Sequence, residues 1–153
     1  VITESSLIKW QAEELVDIWR GRFESPKSGT LLRLAINGLA ALGNDEDRKL
    51  LVEFSRNATN GNALRIDAAQ AIAMYSEVPY LLEAAELLNG STVDLIVAAN
   101  LASPAPAESN QSQALQVLKQ LCASSAYAAA GFAADALRQW NKVAVVELAR
   151  DLR

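Results

Sequence analysis

An alanine-rich helical signature returns four times in this chain, and each copy closes on a large apolar residue. The copies are Ala35-Ile36-Asn37-Gly38-Leu39, Ala68-Ala69-Gln70-Ala71-Ile72, Val97-Ala98-Ala99-Asn100-Leu101 and Ala133-Ala134-Asp135-Ala136-Leu137. Their anchors stand 33, 29 and 36 positions apart (39 to 72, 72 to 101, 101 to 137). A unit of that length recurring along a chain is the mark of stacked helical repeats, since one unit cannot bury its own apolar face. Such stacks present extended surfaces to partners.

Aligned on its anchors, the signature separates into columns. Leu39, Ile72, Leu101 and Leu137 take the inward apolar position, and Ala35, Ala68, Val97 and Ala133 lie one turn earlier on the same face. Gly38, Ala71, Asn100 and Ala136 are mostly small and let a neighbouring helix come close. Asn37, Gln70 and Asp135 share a polar column, broken by Ala99, that is expected to face outward. Aromatic residues are only 6% of the chain, so Ala, Leu, Val and Ile must build the core. Close backbone approach, with Ala68, Ala69, Ala71 and Ala134 in tight contacts, is therefore expected.

The turn signals fall where helical hairpins need them. Ser5 or Ser6 can cap a leading helix to about Arg22, with Leu7, Trp10, Ile18 and Trp19 on its apolar stripe. Ser25-Pro26-Lys27-Ser28-Gly29 breaks it. Thr30 can cap a helix over 31–42 that stops in left-handed backbone at Gly43. Asn44 or Asp45 caps the next, whose buried face is Leu50, Leu51 and Phe54, and whose first-turn acids Asp45, Glu46 and Asp47 suit the helix dipole. After Asn60-Gly61-Asn62 comes a helix over 63–75, then a partner capped by Ser76 and ended by Asn89-Gly90. Ser91 or Thr92 opens a helix that dies at Ser103-Pro104. A second follows over about 109–123, then a pair beginning at Ser124 or Ser125 and closing over 142–152. Strand alternation is nearly absent. The expected architecture is one domain, 1–153, an all-α right-handed solenoid. It comprises a leading helix within 1–29 and four hairpins over 30–56, 62–89, 91–123 and 125–153. The opening at Val1 suggests a cut or processed N-terminus. The charged end Lys142, Glu147, Arg150, Asp151 and Arg153 suggests a genuine C-terminal cap.

The pattern resembles the HEAT family, in particular the short alanine-rich repeats of the phycobilisome-lyase type. The residues that carry it are Leu32-Arg33-Leu34-Ala35-Ile36-Asn37-Gly38-Leu39, followed by Gly43-Asn44-Asp45, and Leu64-Arg65-Ile66-Asp67-Ala68-Ala69-Gln70-Ala71-Ile72. The third and fourth units lack the arginine and the Gly-Asp turn. The resemblance implies a HEAT-like solenoid, and with it a bilin-lyase-like, chromophore-handling alternative that would need a deep aromatic-lined pocket. The tetratricopeptide signature is not met at a constant offset.

Charge and missing residue types remove most chemistry. The chain has no His, hence no Ser-His-Asp or Cys-His arrangement. It has no phosphate-cradling Gly loop. Its one cysteine, Cys122, sits in an apolar run and reads as a small core filler. Asp45, Glu46 and Asp47 lack calcium-loop spacing. The Asn-x-Ser/Thr triplets at Asn57, Asn89 and Asn110 fall in turns, where these residues are common anyway. Fourteen Lys and Arg against 18 Asp and Glu, with Lys9, Arg20, Arg22, Lys27 and Arg33 interleaved with acids, argue against a nucleic-acid or glycosylase groove. No apolar run is long enough to cross a membrane. A soluble chain is expected, with the cytoplasm the favoured compartment.

What remains is a non-enzymatic interaction module without cofactor or metal, binding a protein or peptide along its second helices. The candidate contact residues are Arg48, Lys49, Glu53, Arg56, Glu83, Glu86, Gln116 and Gln120. Gln113, Glu147, Arg150 and the loop from Ser103 to Asn110 adjoin them. Alternating sign with a neutral glutamine step suits a protein better than a polyanion.

Overall fold

Small residues allow helices to pack closely, and in this fold the buried positions of the first helices are rich in them. The computed structural model describes residues 8, 13–25, 28–140, 146 and 150. Among them are eight α-helices and no strand: α1 Val16–Glu24, α2 Gly29–Leu42, α3 Asp45–Arg56, α4 Asn62–Tyr75, α5 Leu81–Glu86, α6 Thr92–Leu101, α7 Gln111–Cys122 and α8 Tyr127–Trp140. Short 3-10 turns, Glu13–Leu15 and Glu108–Asn110, precede α1 and α7. The chain forms two compact units, Val1–Tyr75 and Ser76–Arg153, so the expected 62–89 pair contributes α4 to the first and α5 to the second.

Both units follow one packing plan. In the first, α1 packs on α2, α2 on α4, and α3 on α4; in the second, α5 packs on α6, α6 on α8, and α7 on α8. The repeat columns supply the cores. Leu39, Ile72, Leu101 and Leu137 are buried, as are Ala35, Ala68, Val97 and Ala133 and the small column Gly38, Ala71, Asn100 and Ala136. Asn37, Gln70 and Asp135 are exposed, and Ala99, the exception in that column, is buried. Ala134, expected in a tight contact, is only half-buried.

Several local expectations give way to better physics. The expected leading helix is observed as α-helix only from Val16, after the 3-10 turn Glu13–Leu15; of its earlier part Ile8 is described, as helical, and the rest lies outside the described residues. Trp19 is fully buried, its ring lying where a Cβ on Gly38 would stand. Its neighbour Ile18, 100° round the helix, is thereby turned outward and is 50% exposed. Ser28, not Thr30, occupies the N-cap of α2, without a side-chain bond. Gly43 is extended, with φ −70° and ψ 163°, not left-handed. A side chain is excluded there because its Cβ would overlap the Leu39 carbonyl and the Asp47 side chain.

Leu50 is 38% exposed, whereas Asp47, Leu51, Val52 and Ser55 form the inner face of α3. The phase of α3 is fixed at Asp47. Its carboxylate accepts the Asn44 N–H (2.8 Å) while Asn44 Oδ1 accepts the Asp47 N–H (3.0 Å), a reciprocal capping box. The same carboxylate takes a two-pronged bond from Arg20, Nε and Nη2 each at 2.7 Å, tying α1 to the start of α3. The hydrogen bond from Arg20 and then that from the Asn44 backbone hold the Asp47 carboxyl below its ordinary value, against the opposing effect of burial.

Ser76 does not cap a helix; its hydroxyl bonds Val78. Pro79 has no N–H, and the Tyr80 N–H donates instead to the Leu101 carbonyl at the end of α6 (2.9 Å). A helix can begin only afterward, and α5 is left with six residues, ending in three-residue turn bonds over Leu87 to Gly90. Ser91 and Asp94 then build a second capping box at α6. Of the expected final helix, only Val146 and Arg150 are described, both helical and exposed; the rest lies outside the described residues.

Two glycines test the packing with opposite signs. Gly131, inside α8, has open space where a Cβ would go, so Gly131→Ala should add about 0.5–1 kcal/mol by helix propensity alone. At Gly38 the same propensity gain meets a buried indole, and overpacking should leave a net loss of about 1–2 kcal/mol. Urea melts of both variants measure the two signs. Asp47 gives a pH test. Its folded-state value is depressed, so the stabilisation is present above the ordinary carboxylate value and lost as pH falls through the lower, folded value. Asp47→Asn should therefore destabilise clearly at about pH 7, with a smaller gap from the native protein at about pH 3. Denaturation at the two pH values checks it.

Candidate binding surface

The second helices α3 and α7 spend their apolar faces on the core and leave polar side chains exposed. On α3, the inner positions commit Lys49 and Glu53, one turn apart, to the exposed side. Arg48 and Arg56 are half-buried. Arg48 Nη1 donates to Asp45 at 3.2 Å, across the first turn. The α3 candidates are thus two exposed residues beside two that are partly built into the fold.

The C-terminal end of α3 explains why. All four of its last carbonyls are satisfied. The Asn57 N–H donates to Glu53 O (3.1 Å), Asn60 Nδ2 to Phe54 O (2.8 Å), Arg65 Nε to Ser55 O (2.8 Å) and Arg65 Nη2 to Arg56 O (3.5 Å). Arg65 is only 2% exposed. A buried guanidinium is tolerable here because it meets carbonyl oxygens at the negative end of a helix dipole. Arg33 looks equivalent in sequence but is exposed, and its Nε donates to Asp67 of α4 at 2.6 Å. Counted from the anchors, Arg33 lies six positions before Leu39 and Arg65 seven before Ile72. That one-residue offset turns one outward and one inward; buried Leu32 is the column mate of Arg65.

In the second unit, Glu86, Gln113, Gln116 and Gln120 are exposed and Glu83 is half-buried. Gln120 joins Ala85, Leu88, Asn89, Leu95 and Ala123 around a cleft of about 450 Å³. The first unit has a cleft of about 340 Å³ between α1 and α2, lined by Ile18, Gly21, Arg22, Ser25, Ser28 and Leu31. Neither lining includes an aromatic residue. The loop before α7 is less free than its composition suggests, since Pro104 is buried and Pro106 half-buried; Ala105 and 107–110 are exposed. Arg150 is exposed, while Glu147 lies outside the described residues.

Reactive chemistry is sparse. Cys122 is half-buried, its thiol 3.9 Å from the Ala130 carbonyl, and burial pushes its pKa up, away from the thiolate. Among the described residues no group of three His, Cys, Asp or Glu could hold a metal ion, and no helix is long and apolar enough to cross a membrane. Asn57 uses its Oδ1 to accept from the Thr59 N–H and hydroxyl. Ser91 is engaged in the α6 cap. Those two Asn-x-Ser/Thr triplets therefore carry turn and capping roles. Comparison with family models, characterised proteins and solved structures returns no match.

Large apolar side chains on the surface were not among the expected contacts. Val78 is 57% and Leu82 70% exposed, both at the short helix α5. A sequence signal for this region exists in the charge pattern. From residue 66 to residue 118 there is no Lys or Arg, against six acids: Asp67, Glu77, Glu83, Glu86, Asp94 and Glu108.

Proposed function

We propose that this chain is a non-catalytic interaction module of HEAT-like solenoid type, binding a protein or peptide partner through the outer faces of its second helices. One observation carries the reading: the first helices α2, α4, α6 and α8 hold the cores, while α3 and α7 expose polar side chains that packing does not need. Lys49 and Glu53 on α3, and Gln113, Gln116 and Gln120 on α7, are such positions. Exposed polar rows of mixed sign set orientation and encounter rate at protein interfaces. A polyanion would require an uncancelled basic stripe, which Glu53 beside Lys49 interrupts.

Charge reversal should be made at Lys49 and Glu53, because Arg48 and Arg56 are partly buried and their replacement would disturb the fold as well. With Lys49→Glu/Glu53→Lys, recovery of a specific partner in a pull-down from the source cell should fall several-fold while helix content by circular dichroism stays the same. Unchanged recovery of every partner, or turnover of a small molecule by the purified chain, overturns the reading.

A further inference from the structure

We propose that Asn60, in the corner between α3 and α4, is a site of spontaneous hydrolytic deamidation, and that its product loosens the end of α3. The inference does not depend on the interaction-module reading. An Asn-Gly pair can cyclise because glycine, lacking a Cβ, leaves its backbone nitrogen open to the preceding carboxamide. The deprotonated Gly61 nitrogen attacks Asn60 Cγ. A bond forms between them, the Cγ–Nδ2 bond breaks, and Nδ2 takes up a proton and leaves as ammonia. Water then opens the succinimide ring at either carbonyl. One opening gives aspartate, and the other gives isoaspartate, with the main chain rerouted through the side-chain carbon. Water is the only co-reactant.

Asn-Gly occurs at Asn37, Asn60 and Asn89, and the attacking nitrogen separates the three. Gly38 is buried inside α2, where backbone N–H groups are spent on the helix ladder, and Asn37 Nδ2 donates to the Arg33 carbonyl (2.9 Å). The Gly90 N–H donates to the Leu87 carbonyl (3.0 Å). The Gly61 N–H makes no hydrogen bond among the described residues, and Gly61 is exposed, with open space around it. The Asn60 side chain is held by one part-buried bond, from Nδ2 to the Phe54 carbonyl (2.8 Å). Helix ends open locally more often than cores, and opening here frees the carboxamide beside a nitrogen with no competing partner. The same bond gives the reaction its consequence. The acid has no Nδ2 donor, so the Phe54 carbonyl loses its partner and a carboxylate stands at the negative end of the α3 dipole. The isoaspartyl form also lengthens the main chain between α3 and α4.

The test incubates the folded full chain in mildly alkaline buffer and maps its peptides by liquid chromatography and mass spectrometry, which separates aspartyl from isoaspartyl products. Both products should accumulate at Asn60 several-fold faster than at Asn37 or Asn89. In the urea-unfolded chain the three pairs should react at similar rates. Gly61→Ala, whose Cβ meets nothing, should keep the helix content by circular dichroism and slow the reaction at Asn60 several-fold. Asn60→Asp makes the aspartyl product directly and should lower the urea midpoint. Reaction at Asn89 as fast as at Asn60 in the folded chain overturns the site, as does an inert Asn60 where the unfolded chain reacts. Acid formed without isoaspartate, or an unchanged rate in Gly61→Ala, overturns the cyclic route. An unchanged midpoint in Asn60→Asp overturns the loosening of α3.

Discussion

Nearly everything in this fold depends on the absence of side-chain volume between neighbouring first helices. Ala35, Ala68 and Ala133 are fully buried, and with Val97 they form a column in which no residue is larger than valine. Dispersion attraction falls steeply with distance, so helices bearing such residues gain contact only by approaching closely. Their anchors, Leu39, Ile72, Leu101 and Leu137, then fill the space one turn away. The same constraint makes glycine necessary at Gly38, where the indole of Trp19 occupies the position of the missing side chain. A core this poor in aromatics works by proximity.

Helix ends are where the sequence was partly opaque. The columns, the helix identities and most boundaries were legible, because a 3.6-residue period and Gly, Pro, Asn and Ser punctuation are local signals. The phase of α3 was not. Leu50, Leu51 and Phe54 are all apolar, and periodicity alone could not tell which pair faces inward. Asp47 decides, since its carboxylate is held by Asn44 and by Arg20, 27 residues earlier. The late start of α5 was not legible either: Ser76 offers a local cap, but α5 begins only at Leu81, after Pro79 and after Tyr80, whose N–H goes to the Leu101 carbonyl. Both misreadings share one cause: a tertiary hydrogen bond chose between local options of similar energy.

Arg65 makes the same point about resemblance. The Leu-Arg start common to Leu32-Arg33 and Leu64-Arg65 suggests one role, yet one arginine is a surface ion-pair partner and the other a buried cap. The surface pair Arg33–Asp67 is worth little by itself, with Arg33 more than half exposed. Arg65 is different in kind, because it is itself buried and donates to two carbonyls at the end of α3, the one on Ser55 in a buried bond. Similar words in a repeat are thus read by their distance from the anchor. A shift of one residue moves a side chain by 100° and exchanges solvent for core.

The candidate surface was legible only in part, for a related reason. Exposed polar positions on α3 and α7 follow from helix phase, so Lys49, Glu53, Gln116 and Gln120 could be read from the chain. Exposed apolar positions could not, because Leu82 looks like any core leucine until Leu81 and Ala84 claim the interior. Charge is the signal that survives without structure. The net charge of −4 is not spread along the chain. Residues 1–65 hold nine bases and nine acids, residues 66–118 six acids alone, and residues 119–153 five bases and three acids. A solvated surface of mixed charge has no need of such segregation, since interspersed signs serve solubility as well.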